Sequence, residues 1–400
     1  MWGKRLPGAN ESYEILALRN GHWQTALVMD HEGRRAGRPL GGAALASFEQ
    51  QVRGMATAQL GILGTQSVKV VRERIRPDGS LSVSEFLCLD GGTTGDRMMG
   101  LAPLRDAGPR CEAADDLLQR PACQVIGTLL RGLLDALGAS PLELLVDEAW
   151  SARLQPHQAL LASAIRKIAS LQTTGDPTAR LATLERLVGE TQRRARAAGA
   201  RMPRLPDLDA GGIDVLLARI RALGAVDGEF LAVRAMARRL RGAGSPSSKI
   251  EMLLALLAPG PSAAGTALAD RFLAGLVDAP STVRDLLGHQ PDLGTALIAL
   301  CRFATGGTPA GRGDWTDLAC RLAGPLAAGL LPDTRDALWD RVACGLLSDR
   351  LLAAERHAEW PLLKTLDKEF QPLVPESRRA RLAAAVAARK LAWHRAADRP

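Results

Sequence analysis

Residues 12–29 read Ser-Tyr-Glu-Ile-Leu-Ala-Leu-Arg-Asn-Gly-His-Trp-Gln-Thr-Ala-Leu-Val-Met. Two apolar-rich runs, 12–19 and 22–29, flank the pair Asn20-Gly21. A two-residue turn between antiparallel strands needs positive φ at both positions, and asparagine and glycine adopt that conformation at low cost. This stretch therefore predicts a β-hairpin.

The residues that follow complete a small module over 11–90. Apolar side chains at steps of three to five residues predict a helix over 41–60. Alternating patterns predict strands over 67–76 and 81–89, and the turn-forming residues 77–79 join them. The order β-β-α-β-β indicates an α+β module in which one helix packs on one face of an antiparallel sheet.

Strand 67–76 carries both apolar and charged side chains. Its alternation places Val68, Val70 and Arg72 on one face. An edge strand of the module can accept a strand from a partner protein. The alternative is that Arg72, Glu73 and Arg74 keep that edge solvated, and the strand order is needed to decide between the two.

Downstream of the module the strand patterns end. Residues 91–112 are rich in Gly, Pro and Thr and predict a linker, whereas residues 1–10 form an N-terminal tail. The segment from Gly242 to Pro246 suggests a break between two helical regions, 113–241 and 242–400. Apolar periodicity predicts helices near 114–137, 141–153, 157–172, 177–198, 211–222, 226–241, 247–257, 263–278, 282–304 (broken at Pro291), 314–330, 334–357 and 376–395. This succession predicts an all-α helical array, either a bundle or an irregular α-solenoid.

Several helix starts carry local signals. Ser140, Pro141 and Glu143 have the order of a capping box with proline in the first helical position. Asp333 and Asp336 place acids in a first turn, where they stabilise the helix dipole. These signals define helix starts at 141 and near 334.

The composition is that of a globular chain with a basic surface. Hydrophobic residues make up 46% and charged residues 24%, and the net charge is +8. The charge is concentrated in three arginine-rich segments, 191–204, 231–241 and 376–400. A basic chain favours an anionic partner without establishing one.

Six cysteines without a CxxC pair predict reduced, mostly buried thiols rather than disulfides. No secretory signal follows the start, and no apolar run reaches 18 residues, so we expect a cytoplasmic protein without a membrane span.

No catalytic, metal-binding or cofactor-binding residue is predicted, and no cofactor is expected. The segment Gly242–Lys249 lacks the glycine before the lysine and the preceding strand of a phosphate-binding loop, so an interhelical loop is the interpretation. Asp90–Asp96 lacks calcium-loop spacing and is interpreted as part of the linker. Glu143 and Asp147 share a helix face, which favours a solvated acidic face over acid–base chemistry.

The functional expectation is a non-enzymatic interaction, regulatory or scaffold protein that binds another protein through its helical surface. The alternative is binding of nucleic acid through the arginine-rich segments. Such binding would not depend on base sequence, because no run of aromatic residues accompanies the arginines to stack on bases. The residues assigned to an anionic partner are Arg193, Arg194, Arg196, Arg201, Arg238, Arg239 and Arg241. The oligomeric state is left open, and so is a third class, an enzyme whose catalytic residues lie far apart in the sequence.

Overall fold

The computed structural model places the elements of two compact units. It describes residues 11–19, 22–30, 42–60, 65–75, 81–90, 101–102, 104, 107–200, 205, 208–224, 227–243, 245–288, 290–309, 314–348, 350–353 and 356–397. One unit comprises residues 1–100 with 239–252, and the other comprises 101–238 with 253–400. The domain boundaries inferred from composition stay predictions, and the predicted tail at 1–10 lies outside the described residues.

The first unit contains the predicted sheet and helix. Its strands are β1 (Glu11–Arg19), β2 (His22–Asp30), β3 (Thr65–Ile75) and β4 (Leu81–Asp90), and its first helix is α1 (Gly42–Leu60). The strands form one antiparallel sheet in the order β2-β1-β3-β4. Arg19 lies opposite His22, as a two-residue connection requires, so the predicted hairpin is confirmed. The two predicted turn sequences, 20–21 and 77–79, lie outside the described residues.

One sheet face packs on α1. Alternation in β3 directs Val68, Val70 and Arg72 into the buried face, as predicted. The buried apolar residues of this unit are Tyr13, Ile15, Ala17, Val52, Ala56, Val68 and Val70. Tyr13 also makes edge-on ring contacts with Phe48 and Phe86, with ring centroids 5.6 and 5.0 Å away.

The edge strands are β2 and β4, because β3 pairs with β1 on one side and with β4 on the other. The suggestion that Arg72, Glu73 and Arg74 solvate a sheet edge is therefore wrong. The alternation of residue types along a strand predicts the sheet face on which each side chain lies. It does not predict the neighbouring strands, because the strand order depends on how the chain crosses from β2 through α1 to β3.

A polar group lies inside the first unit. Glu49 of α1 is fully buried, and its carboxylate accepts hydrogen bonds from Tyr13 (3.5 Å) and from the Ser248 hydroxyl (3.1 and 3.2 Å to its two oxygens). The Arg72 guanidinium lies 3.7 Å from the same carboxylate. The hydrogen bonds from Ser248 join residues 239–252 to the sheet module, although nearly 200 residues separate Glu49 from Ser248 in the chain.

The remainder of the described chain is helical, so the predicted array after an α+β module is confirmed. Helices α9 and α10 contribute residues to both units. The helices are α2 (Arg120–Leu129), α3 (Arg131–Leu137), α4 (Pro141–Val146), α5 (Ala149–Leu154), α6 (Gln158–Leu171), α7 (Thr178–Gly199), α8 (Leu208–Ala222), α9 (Gly228–Arg241), α10 (Pro246–Leu257), α11 (Ala263–Val277), α12 (Pro280–Leu287), α13 (Leu293–Ala304), α14 (Asp314–Ala327), α15 (Pro332–Leu346), α16 (Arg356–Leu373) and α17 (Glu376–Ala397).

Two predicted helices are divided in the structure. The segment 114–137 contains a 3-10 turn followed by α2 and α3, and 141–153 contains α4 and α5. The break predicted at Pro291 is confirmed, because α12 ends at Leu287 and α13 begins at Leu293. The break before α2 lies at Pro121, a helix-start signal that the sequence does carry, whereas no proline marks the breaks between α2 and α3 or between α4 and α5.

The prediction of one helix over 334–357 is wrong. Helix α15 ends at Leu346, and α16 begins at Arg356 and was not predicted. Long-range hydrogen bonds hold the intervening loop: Arg389 of α17 donates to two of its carbonyls, and Glu359 accepts from the Leu352 N–H at 3.3 Å. The interior prolines of α16 at 361 and 372 are ordinarily helix-ending signals, which explains the omission.

The local capping signals are confirmed. Ser140 accepts a hydrogen bond from the Glu143 N–H (3.3 Å), and the Glu143 carboxylate accepts from the Ser140 N–H (2.8 Å). Asp333 lies in the first turn of α15. None of the described helices is long and apolar enough to cross a membrane.

Candidate functional site

An open groove lies in the second unit between α8, α9 and α11. Its volume is about 570 Å³. It is lined by Leu217, Ile220, Arg221, Gly224, Gly228, Glu229, Ala232, Ala264, Ala267, Leu268 and Arg271. Most of the lining residues are apolar or glycine, so the groove presents an apolar surface to any occupant.

Two close contacts bring the groove walls together. Gly228 of α9 lies so near α8 that an added Cβ would lie 3.2 Å from the Ile220 methyl group. Gly265 of α11 approaches α8 in the same way, since a Cβ there would lie 2.9 Å from the Asp214 carboxylate. Glycine permits these approaches because it has no side chain between the helices.

A capping contact fixes α11 against α8. The Ser262 side chain caps α11 by accepting from the Gly265 N–H at 3.3 Å. Both the Ser262 hydroxyl and its N–H donate to the Asp214 carboxylate, at 2.5 and 2.8 Å. These hydrogen bonds lower the pKa of Asp214, so the carboxylate stays ionised and keeps accepting them. This polar contact therefore adds to the close approach at Gly265 in holding α11 against α8.

Small side chains line most of the groove. Ala264 and Ala267 are exposed on α11, whereas Ala232 and Leu268 are buried beneath. Gly224 has a φ of +57°, and a Cβ there would meet no atom within 4 Å. An occupant can therefore bring its own backbone close to the protein, as small residues at helix contacts allow.

Two guanidinium groups lie at the rim. Arg221 is exposed at the end of α8. Arg271 of α11 donates to the Glu229 carboxylate at 2.6 Å and to the Leu118 carbonyl at 3.1 Å. Glu229 is 77% exposed, so its ion pair with Arg271 is screened by water. The rim combines two positive groups with one exposed acid, which favours an occupant that carries a carboxylate.

The predicted arginines of α7 occupy two environments. Arg193 and Arg196 are exposed and lie three residues apart on the helix. Arg194 is held by the protein: it donates to Asp115 at 2.7 Å and to Asp227 at 3.2 Å, and its guanidinium lies 4.7 Å from the Phe230 ring centroid.

The other predicted arginines are spread over more than one unit. Arg238 is exposed near the end of α9 in the second unit, whereas Arg239 and Arg241 are half-buried and belong to the first. Arg201 lies outside the described residues. Arg234 of the same arginine-rich segment is buried, and it binds Glu148 at 2.8 Å and the Val146 carbonyl at 3.1 Å. Whether the seven predicted arginines bind an anion stays a prediction.

The acidic pair of α4 is not solvated. Glu143 is fully buried and Asp147 is 4% exposed, so the expected acidic surface is wrong. Glu143 forms the reciprocal cap with Ser140, and the Asp147 carboxylate accepts from the Ala149 N–H at 3.2 Å. Both carboxylates bind backbone donors at helix ends, which would otherwise lack partners.

The segment Gly242–Lys249 is an interhelical connection followed by the first turn of α10, as predicted. Ser245 caps the helix, because its hydroxyl oxygen accepts from the Ser248 N–H at 3.2 Å. Residues 91–96 of the second candidate loop lie outside the described residues.

The cysteines are free thiols wherever they are described. Cys111, Cys123 and Cys301 are buried, whereas Cys320 and Cys344 are exposed, so most of the described thiols are buried, as expected. The side chain of Cys88 lies outside the described residues. Among the described residues no group of three or more His, Cys, Asp or Glu side chains could hold a metal ion.

The sequence carries no local signal for the groove. Its lining combines alanine, glycine and leucine from three helices with two arginines outside the predicted set, so only their assembly marks a site. No family model, no curated protein and no solved structure matches this chain.

Proposed function

We propose that this chain is a non-enzymatic interaction protein that binds an amphipathic helix of a partner protein in the groove between α8, α9 and α11. The observation that supports this proposal is an apolar groove of about 570 Å³ lined by glycine and alanine and rimmed by arginine. Helix-in-groove binding uses such surfaces, because the apolar stripe of the incoming helix replaces water along the groove.

The charges at the rim specify the partner further. Arg221 of α8 and Arg271 of α11 both line the groove, so the partner helix should carry an acidic residue beside its apolar stripe. A carboxylate that reaches Arg271 would share the guanidinium with Glu229. Such rim charges mainly raise the association rate and select among partners, whereas the affinity comes from the buried apolar contact.

The experiment is affinity capture from native extract with matched variants. Ala267→Trp fills the groove with an indole, and Ala384→Trp places the same side chain at an exposed alanine of α17. We expect an acid-bearing helical partner to be captured by the wild type and by Ala384→Trp, and to be lost with Ala267→Trp. The binding of the isolated partner peptide is then measured with all three purified proteins. Equal binding by all three would overturn the proposal.

Binding of nucleic acid through Arg193, Arg196 and Arg238 is the second candidate, and their exposure supports it. The test is a mobility shift with random-sequence DNA and RNA at low salt, repeated after Arg193→Ala and Arg196→Ala. This candidate predicts affinity that falls steeply with salt, and a weaker slope in the variants because fewer phosphates are neutralised. The absence of any shift at low salt would exclude it.

A further inference from the structure

Several helices of the second unit meet at a cluster of charged side chains, which we name the ionic junction. It includes two buried carboxylates, Asp278 at the end of α11 and Asp340 of α15, which are 7% and 2% exposed. The cations of the junction are Arg120 of α2, Arg131 of α3, Arg341 of α15, and Arg378 and Arg381 of α17. None of these residues lines the groove.

The carboxylate of Asp340 is fully bonded. Arg120 donates to its Oδ2 at 2.5 Å, and Arg378 and Arg381 donate to its Oδ1 at 2.9 and 2.6 Å. Three guanidinium groups from two other helices thus converge on one buried anion. This ion-pair network compensates the cost of burying the charge of Asp340.

Asp278 has a different environment. Its Oδ1 is buried and receives no hydrogen bond from any described residue. Arg131 and Arg341 are close, but they donate to its backbone carbonyl, each at 3.4 Å, and Arg120 donates to Asp340. An ionised carboxylate at this position has lost its water without gaining donors on that oxygen, which is the costly case for a buried charge.

The surroundings of Asp278 favour its neutral form. Burial raises its pKa to about 6. Arg120, Arg341 and Arg131 oppose this rise, whereas the negative charge of Asp340 adds to it. The nearby Cys123 thiol stays neutral, because burial raises its pKa to about 12. Asp278 is therefore the group of the junction whose charge changes at mildly acidic pH.

We propose that Asp278 is a proton switch, at which uptake of one proton by the carboxylate tightens the packing of α11 against α2 and α15. Protonation adds an O–H to Asp278 and removes a second negative charge beside Asp340. The Thr282 hydroxyl, four residues along the chain, is another buried oxygen without a partner among the described residues. The proposal is independent of the groove and of its occupant.

The direction of the pH effect follows from the raised pKa in the folded state. Below the ordinary pKa of 3.8 both states hold the proton, so Asp278 adds no penalty. Between 3.8 and about 6 the unfolded chain loses the proton while the folded chain keeps it, and stability falls as pH rises. Above about pH 6 the penalty is complete, at roughly a hundredfold in the folding equilibrium constant.

The experiment compares unfolding of the wild type, Asp278→Asn and the control Asp317→Asn, whose parent carboxylate is exposed on α14. We expect the folding equilibrium constant of Asp278→Asn to exceed that of the wild type by about a hundredfold near pH 7.5, and by no more than about threefold near pH 4. The Asp317→Asn control should give a ratio close to one at both pH values. A ratio for Asp278→Asn that is independent of pH would overturn the proposal.

A second measurement requires no substitution. Amide hydrogen exchange of the wild type, corrected for the intrinsic pH dependence of exchange, should show peptides of α11 and α15 losing protection between about pH 4 and 6. Peptides of α7, which contributes no residue to the junction, serve as the internal reference. Unchanged protection in α11 and α15 across that range would contradict the switch.

Discussion

Asp270 connects α11 to the start of α15, and its removal tests how strongly this contact stabilises the second unit. The side chain is 1% exposed. Its carboxylate accepts from the Asp333 N–H at 2.7 Å, the Thr334 N–H at 2.9 Å and the Thr334 hydroxyl at 2.6 Å. The perturbation is Asp270→Ala, with Asp270→Asn as the conservative variant.

The stabilisation comes from the hydrogen bonds that Asp270 accepts rather than from its charge. Burial raises the pKa of Asp270 and outweighs the lowering effect of the bonds from Thr334 and Asp333. Alanine leaves three donors without a partner, and we expect a loss of about 4 kcal/mol. Asparagine keeps one oxygen acceptor but turns its amide nitrogen towards a remaining donor, so we expect a loss of about 2 kcal/mol.

Chemical unfolding at pH 7 measures both variants, with Asp292→Ala as the control. Asp292 caps α13 through one bond from the Thr295 N–H at 2.7 Å and is only half-buried. Its loss should cost about 1 kcal/mol, as a single helix cap does. If Asp270→Ala costs no more than Asp292→Ala, or less than Asp270→Asn, the assignment of Asp270 as a multiple buried acceptor is refuted.

Three further outcomes are expected. Gly294→Ala should destabilise the protein by about 2 kcal/mol, because the added Cβ would overlap a leucine of α16. Gly189→Ala on α7, whose Cβ would lie in open space, should instead stabilise it by about 0.7 kcal/mol. Calorimetry measures both variants. Arg389→Ala should cost about 3 kcal/mol, because it leaves a buried glutamate without its cation; unfolding by denaturant measures this, and a loss below 1 kcal/mol would contradict it. Cys320 and Cys344 should react with a thiol reagent in the native protein well before the three described buried cysteines, and equal rates would contradict their exposure.

Local sequence patterns were sufficient to predict an element of the fold wherever the interaction that determines this element lies within a few residues. The pair Asn20-Gly21 indicates the hairpin between β1 and β2, because few residues adopt the turn that a two-residue connection needs. Ser140 and Glu143 indicate the start of α4, since both capping hydrogen bonds lie within four residues. Alternation in β3 likewise indicates its buried face.

The candidate site depends on contacts between distant residues, and for that reason sequence patterns did not locate it. The groove joins α8, α9 and α11 through glycines whose role appears only when a second helix lies beside them. The residues of the ionic junction come from five helices, and Asp278 is an ordinary aspartate until the neighbouring helices remove it from water.

By itself the sequence determined the α+β module, the helical array and several helix ends, because turns, caps and periodicity act over a few residues. Only the tertiary structure decided the strand order, the division between α15 and α16, the burial of Glu143 and Asp147, and the positions of the groove and the ionic junction. The physical reason is that burial, strand neighbours and the energy of a charge depend on residues that lie far apart in the chain.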